Sequence, residues 1–308
     1  MFVEQAAGPM RIGLGCMALT GIYGAVGVER AQATLHRALD LGIRLFDTAA
    51  LYGSGANETL LGTVFGRRND VFVATKFGLI EGRDGKLIRD SRPDTIRRSV
   101  DMSLMRLGRE RIDLLLQHRP DPETPDEVVA EVAAELVREG KIAAFGLSAT
   151  PMERIEAFRP TVVVRAVQNE LSLSSTADLS EVAVASRAGV MFMAYAPLGR
   201  GILTGRSLAR GFSPDDLRSG MPQYDPRNRE LDMGAVDALD VIARRHATTR
   251  AAVALAWTLG TGSGTVPLPG ARSPGHVTEL VKAASLAFTS QDVSELSVLR
   301  DCRCSFSS

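Results

Sequence analysis

The sequence predicts a single-domain α/β fold, a closed (β/α)8 barrel of the TIM type. Three observations carry this reading. Eight short apolar or β-branched runs recur along the 308 residues, and they read as near-continuous buried strands rather than alternating ones. A longer amphipathic stretch with helix-start or helix-stop signals follows each run. No low-complexity segment, long charge run or linker divides the chain, although length alone would fit two domains. An open doubly wound sheet is the rival architecture, but it usually has fewer strands and a glycine-rich turn after the first.

The elements follow in order. An N-terminal tail over residues 1–10 precedes the first predicted strand, Ile12–Met17, and a helix over 28–41. The second strand, Ile43–Thr48, leads to a helix over 57–66. The third, Val71–Lys76, leads to one over 93–107. That helix opens at Ser91-Arg92-Pro93-Asp94, where proline loses only an orphan donor and acid suits the helix dipole. Asp113–His118 is followed by a helix over 124–139, opened in the same way by Thr124-Pro125-Asp126-Glu127. Ala143–Ser148 precedes 151–158, and Val162–Asn169 precedes 176–188. Val190–Ala196 runs into the longest irregular stretch, 206–229, whose length marks it as a substrate-side loop. Helices over 231–246 and 249–260 come next, then Thr265–Pro269, a helix over 274–285, and a final helix and tail over 290–308. Gly42, Gly66, Gly108, Gly140 and Gly189 each follow a helix, where a left-handed residue is favoured.

Composition excludes several classes. The 36 basic residues balance the 36 acidic ones, which argues against a general binder of nucleic acid or anionic membranes. Cys16, Cys302 and Cys304 build neither a disulfide framework nor a zinc site, so no metal is expected and a reducing cytoplasmic setting is. No apolar run reaches the ~18 residues of a membrane span, and the N-terminal residues lack the pattern of a signal peptide.

Chemistry emerges at the strand ends. Strand two ends at Asp47-Thr48, strand three at Thr75-Lys76, strand four at Gln117-His118, strand five at Ser148, and strand six at Gln168-Asn169-Glu170. In a barrel these ends share one rim, where active sites are built. Singly, Asp47 reads as a turn cap, and Lys76 and His118 as strand ends meeting water. His36 and His246, on helical stretches, read as surface residues. Together with Tyr52, five positions beyond Asp47, the three rim residues fit one task. The Lys76 ammonium, held charged by Asp47, would lower the Tyr52 pKa from ~10. His118 would donate to a carbonyl oxygen gaining negative charge. With no nucleophile or metal cluster in view, the carbonyl carbon calls for a hydride from a reduced nicotinamide.

At these residues the chain resembles the aldo-keto reductase superfamily, from about Arg11 to Ala284. Asp47-Thr48-Ala49-Ala50-Leu51-Tyr52-Gly53-Ser54-Gly55-Ala56-Asn57-Glu58 is similar to the family segment carrying the catalytic Asp and Tyr. Thr75-Lys76-Phe77-Gly78 and Asp113-Leu114-Leu115-Leu116-Gln117-His118-Arg119 are similar to its lysine and histidine strands. The resemblance implies Tyr52 as acid–base, Lys76 and Asp47 as its tuning pair, and His118 as carbonyl orienter. It implies NADPH rather than NADH. The cofactor would meet Met17 and Asp47, Ser148 and Gln168 at the carboxamide, and Tyr195 against the nicotinamide ring. Ala196, Pro197, Leu198, Gly199, Arg200 and Gly201 would surround the pyrophosphate. Gly270, Ala271, Arg272, Ser273, His276 and Glu279 would hold the adenosine end. Physically, Arg272 offers a fork suited to phosphate, and Ser273-Pro274 marks a helix N-terminus. Ala149 and Leu280 stand where the family often has Asn, and Leu171 where it often has an aromatic residue.

Tyr23, Leu51 and Phe77 fall where the family often places pocket walls. The implied function is NADPH-dependent reduction of an aldehyde or ketone, with a small-molecule carbonyl as partner. An NAD(P)-dependent sugar or alcohol dehydrogenase, a keto-sugar or secondary-metabolite reductase, and an NADPH-binding regulatory subunit are the alternatives. Substrate identity and oligomeric state do not follow from the sequence.

Overall fold

In the computed structural model, which describes residues 2–304 except 83, 177–178, 206–211, 214–215, 222–223 and 225–228, eight parallel strands form one sheet. They are β1 (Leu14–Gly15), β2 (Leu45–Asp47), β3 (Phe72–Phe77), β6 (Leu114–Gln117), β7 (Phe145–Ser148), β8 (Val164–Glu170), β9 (Met191–Tyr195) and β10 (Thr265–Leu268), in that spatial order. The Gly13 and Gly15 amides donate to the Pro267 and Pro269 carbonyls, both at 3.0 Å, and so join the last strand to the first. Glycine is required at this seam. A Cβ on Gly15 would stand 2.9 Å from the Leu268 carbonyl oxygen. β1 is shorter than the predicted 12–17 because the chain turns at Cys16–Leu19 into a 3-10 helix.

The helices are α1 (Phe2–Ala7), α2 (Val28–Asp40), α3 (Ala56–Phe65), α4 (Pro93–Leu107), α5 (Asp126–Arg138), α6 (Ile155–Phe158), α7 (Leu179–Ala188), α8 (Arg229–Arg245), α9 (Arg250–Gly260), α10 (Pro274–Leu280) and α11 (Ser290–Cys304). Pro93 opens α4, and Gly108, at φ +62°, closes it. All five glycines predicted to stop helices have positive φ. The residues read as an N-terminal tail instead form α1. Phe2 packs edge-on to Phe72 with ring centroids 5.8 Å apart, and Ala6 and Ala7 are fully buried among the barrel's inward side chains. A hairpin, β4 (Leu79–Glu81) with β5 (Leu87–Arg89), follows β3 and was not foreseen. Most of the predicted loop 206–229 lies outside the described residues, as do the final tail and the Cys302 and Cys304 side chains. Among the described residues no helix is long and apolar enough to cross a membrane.

Strand alternation sorts the sheet into two faces. Leu45, Phe72, Ala74, Leu114, Leu116, Ala166, Met191, Met193, Val266 and Leu268 point inward and fill the barrel. Phe46, Val73, Phe77, Leu115, Phe145, Leu147, Val167 and Phe192 point outward and pack with the helices. α11 docks through Asp292, which accepts from Thr289, Arg245 and His246. These contacts hold its carboxyl well below the usual carboxylate range, although burial opposes them.

Candidate active site

The inward parity of each strand fixes which side chains meet at the open rim. Continuing it upward gives Asp47 on β2, Lys76 on β3, His118 just after β6, Ser148 on β7, Gln168 on β8 and Tyr195 on β9. Five of these, all but Lys76, line one cavity of about 1110 Å³, slightly above the ~300–1,000 Å³ usual for ligand pockets. Tyr52 lines it too, from the 3-10 turn Tyr52–Gly55 beyond β2. Lys76 is buried behind them.

The Lys76 ammonium donates to both Asp47 oxygens, at 2.8 and 2.7 Å, and to the Thr48 carbonyl at 2.8 Å. Gln168 Nε2 donates to Asp47 Oδ1 at 2.7 Å. Burial alone would pull the Lys76 pKa down, but Asp47 and Tyr52 outweigh it and hold lysine charged. Lys76 Nζ stands 5.1 Å from the Tyr52 ring centroid, and the His118 ring meets Tyr52 edge-on at 5.9 Å. The expected lowering of the Tyr52 pKa is not what results. Burial raises it more than Lys76 lowers it, and Asp47 adds to the rise. Tyr52 therefore stays a neutral proton donor. Burial, then Lys76 and Arg119, push His118 down to about 2, so the imidazole is neutral and keeps one N–H to donate.

Most of the residues expected at a nucleotide line the cavity. Ser148 Oγ is buried without a hydrogen-bond partner among the described residues while lining the cavity. Gln168, with its nitrogen on Asp47, presents its amide oxygen as acceptor. Met17, Tyr195, Ala196, Pro197, Leu198, Arg200, Gly201, Gly270, Arg272, His276 and Glu279 all line the same cavity. Arg272 reaches the Gly24 and Ala25 carbonyls at 3.0 and 3.2 Å, and its buried Nε has no partner among the described residues. Arg200 is held by a two-pronged pair with Glu170, both contacts at 2.7 Å. Gly199, Ala271 and Ser273 do not reach the cavity wall. Gly199 and Ala271 are buried framework, and the Ser273 hydroxyl caps the His276 amide at 3.3 Å.

Of the expected pocket walls, Tyr23 and Leu51 line the cavity. Phe77 does not. It is one step out of register with Lys76, so it faces the helices and packs near Phe145, with centroids 6.5 Å apart. Among the wall residues that escaped the sequence reading are Leu79 and Leu87 of the hairpin, Arg119 beside His118, and Arg218. Arg218 pairs with Asp216 at 2.7 Å and lies 4.9 Å from the Tyr23 ring centroid. An Asp-Gly turn signal at Asp84-Gly85 between the apolar pairs Leu79-Ile80 and Leu87-Ile88 could have disclosed the hairpin.

Comparison with known proteins identifies the family. The model of the aldo/keto reductase family matches residues 11–301. The aldo-keto reductase yakc [NADP(+)] of Schizosaccharomyces pombe is 35% identical over 294 residues, covering 92% of this chain and 86% of the relative. The aldo-keto reductase str7 of Strobilurus tenacellus is 34% identical over 305 residues, covering 94% and 88%. Among solved structures, the glycerol dehydrogenase AKR11B4 of Gluconobacter oxydans superposes with a TM-score of 0.87 at 33% identity, over 95% of this chain and 92% of that one. With the rim residues placed as described, the chain belongs to the aldo/keto reductase family.

Proposed function

We propose that the protein reduces an aldehyde or ketone to an alcohol with NADPH. One observation carries the reading: a buried Asp47–Lys76 pair stands behind a neutral tyrosine and a neutral histidine at the head of a dinucleotide-sized cavity. NADPH, when bound, supplies the hydride. Ser148 and Gln168 would orient the carboxamide, Tyr195 would flank the ring, and Arg272 would take the phosphate that distinguishes NADPH from NADH. His118 donates its N–H to the substrate oxygen, and Tyr52 passes its proton to that oxygen as charge develops. Lys76 stabilises the phenolate left behind, and Asp47 keeps Lys76 charged and in place. The S. pombe relative's name carries NADP(+), which supports the cofactor assignment.

The test is turnover of an aldehyde panel with NADPH and with NADH. Arg272→Ala is expected to weaken NADPH by about 10–100-fold, the value of a charge-assisted hydrogen bond, and NADH by less than about threefold. Calorimetric titration of both nucleotides checks this, and equal weakening would remove the phosphate role.

The pKa directions give a pH profile. Tyr52 must be protonated to reduce a carbonyl, and its pKa is raised. Reduction should therefore stay level over about pH 5–9 and fall only as pH climbs through that raised value. Alcohol oxidation needs the phenolate and should rise over the same limb. His118 adds no limb near its ordinary pKa of ~6.5, because the imidazolium loses its extra proton above about 2 and the neutral ring keeps one N–H. A limb there in kcat/KM with a non-titrating substrate would contradict the neutral imidazole. The likeness to a glycerol dehydrogenase makes the oxidative direction the second reading, and assay in both directions separates the two.

A further inference from the structure

The arginines of the cavity wall divide by what holds them. Arg200 is paired with Glu170 and Arg218 with Asp216, while Arg244 and Arg250 share the single carboxylate of Asp240. Arg272 has no carboxylate within ion-pair distance among the described residues, and the reading above gives its charge to the cofactor. Arg119 is the remaining case. It follows His118 directly, lines the cavity and is half-buried. Nη1 donates to the His118 carbonyl at 2.8 Å, and among the described residues no carboxylate comes within ion-pair distance of it. Leu51, Leu79 and Leu87 line the same cavity. A half-buried guanidinium without an acid is an unmet charge, and a ligand anion would meet it.

Resting on the reductase reading, we infer that Arg119 selects substrates carrying a carboxylate, so that the preferred substrate is an aldehyde or ketone joined to a carboxylate through an apolar spacer. A carboxylate fits better than a phosphate. One guanidinium matches one charge, and a dianion would leave its second charge without a partner. The position also explains geometry: anchoring the anion at Arg119 holds the other end of the molecule beside His118 and Tyr52. Arg119 also acts electrostatically on both of those groups, and the test has to separate that effect from substrate binding.

The experiment compares kcat/KM of the full chain with NADPH for carboxybenzaldehyde isomers and for their methyl esters, which keep a similar aldehyde and ring. The wild type should favour at least one acid over its ester by about tenfold or more, carried in KM. Arg119→Gln should bring that ratio to about one, and Arg119→Lys should restore part of it. Loss of activity by the same factor on acid and ester would show that Arg119 acts only through Tyr52 and His118, and would overturn the inference. So would a wild type with no preference for any acid. Turnover of the esters marks the reductase reading as sound whichever way the ratio falls. Absence of turnover with every aldehyde would overturn that reading and the inference with it.

Discussion

Tyr52→Phe is expected to cut kcat for carbonyl reduction by about 10²–10⁴-fold and to leave the NADPH Kd within about twofold. The change removes one oxygen. The ring keeps its edge contact with His118, and the Asp47–Lys76 pair keeps its own hydrogen bonds, including that to the Thr48 carbonyl. What disappears is the one neutral O–H at the rim that can give up a proton and leave a charge which Lys76 stabilises. His118 remains and can still polarise the carbonyl, so residual turnover should be measurable. Stopped-flow single turnovers with saturating NADPH isolate the chemical step from product release. A rate near wild type would remove the acid role from Tyr52.

Lys76→Met is expected to destabilise the fold by about 3–5 kcal/mol as well as to abolish most activity. Asp47 and Lys76 are both nearly inaccessible to water. Deleting the ammonium leaves the Asp47 carboxylate buried with the Gln168 amide as its remaining side-chain donor. The double variant Asp47→Asn/Lys76→Met should be less damaged than the single one, because no buried charge is then left alone. Urea unfolding at neutral pH, read as a double-mutant cycle, measures the coupling. A single variant as stable as the wild type would mean that water reaches the pair.

Much of this arrangement was legible in the sequence because period-two alternation links fold and site. Once Leu45, Ala74 and Leu116 are core residues, Asp47, Lys76 and His118 must point the same way, two residues on. The same rule, applied one residue later, puts Phe77 outside the pocket, although it belongs to the motif that suggested it as a wall. Both ends of α4 were readable from Pro93 and Gly108. α1 was not, since six residues without a cap or a full helical repeat carry too little pattern, and its apolar side chains gain their place only by burial against Phe72. The protonation of Tyr52 was misjudged for a related reason. Sequence reveals that a lysine is near, but not how thoroughly water is excluded, and here exclusion is the larger influence. Arg119 went unread as a wall residue because its meaning depends on what is missing around it.

The seam at Gly13 and Gly15 has a consequence for how the molecule is made. The segments that pair there lie at opposite ends of the chain, so during synthesis the ring stays open until β10 has left the ribosome. Such distant pairing is slow to form and leaves strand edges bare in the meantime. Asp47 and Lys76 are made early, whereas Arg272 arrives only after the closing strand. The nascent chain thus carries its charged pair at the rim of an incomplete sheet, open to water. Its nucleotide site is assembled only in the last stage of translation, and a ribosome-stalled chain ending before Thr265 should hold no cofactor.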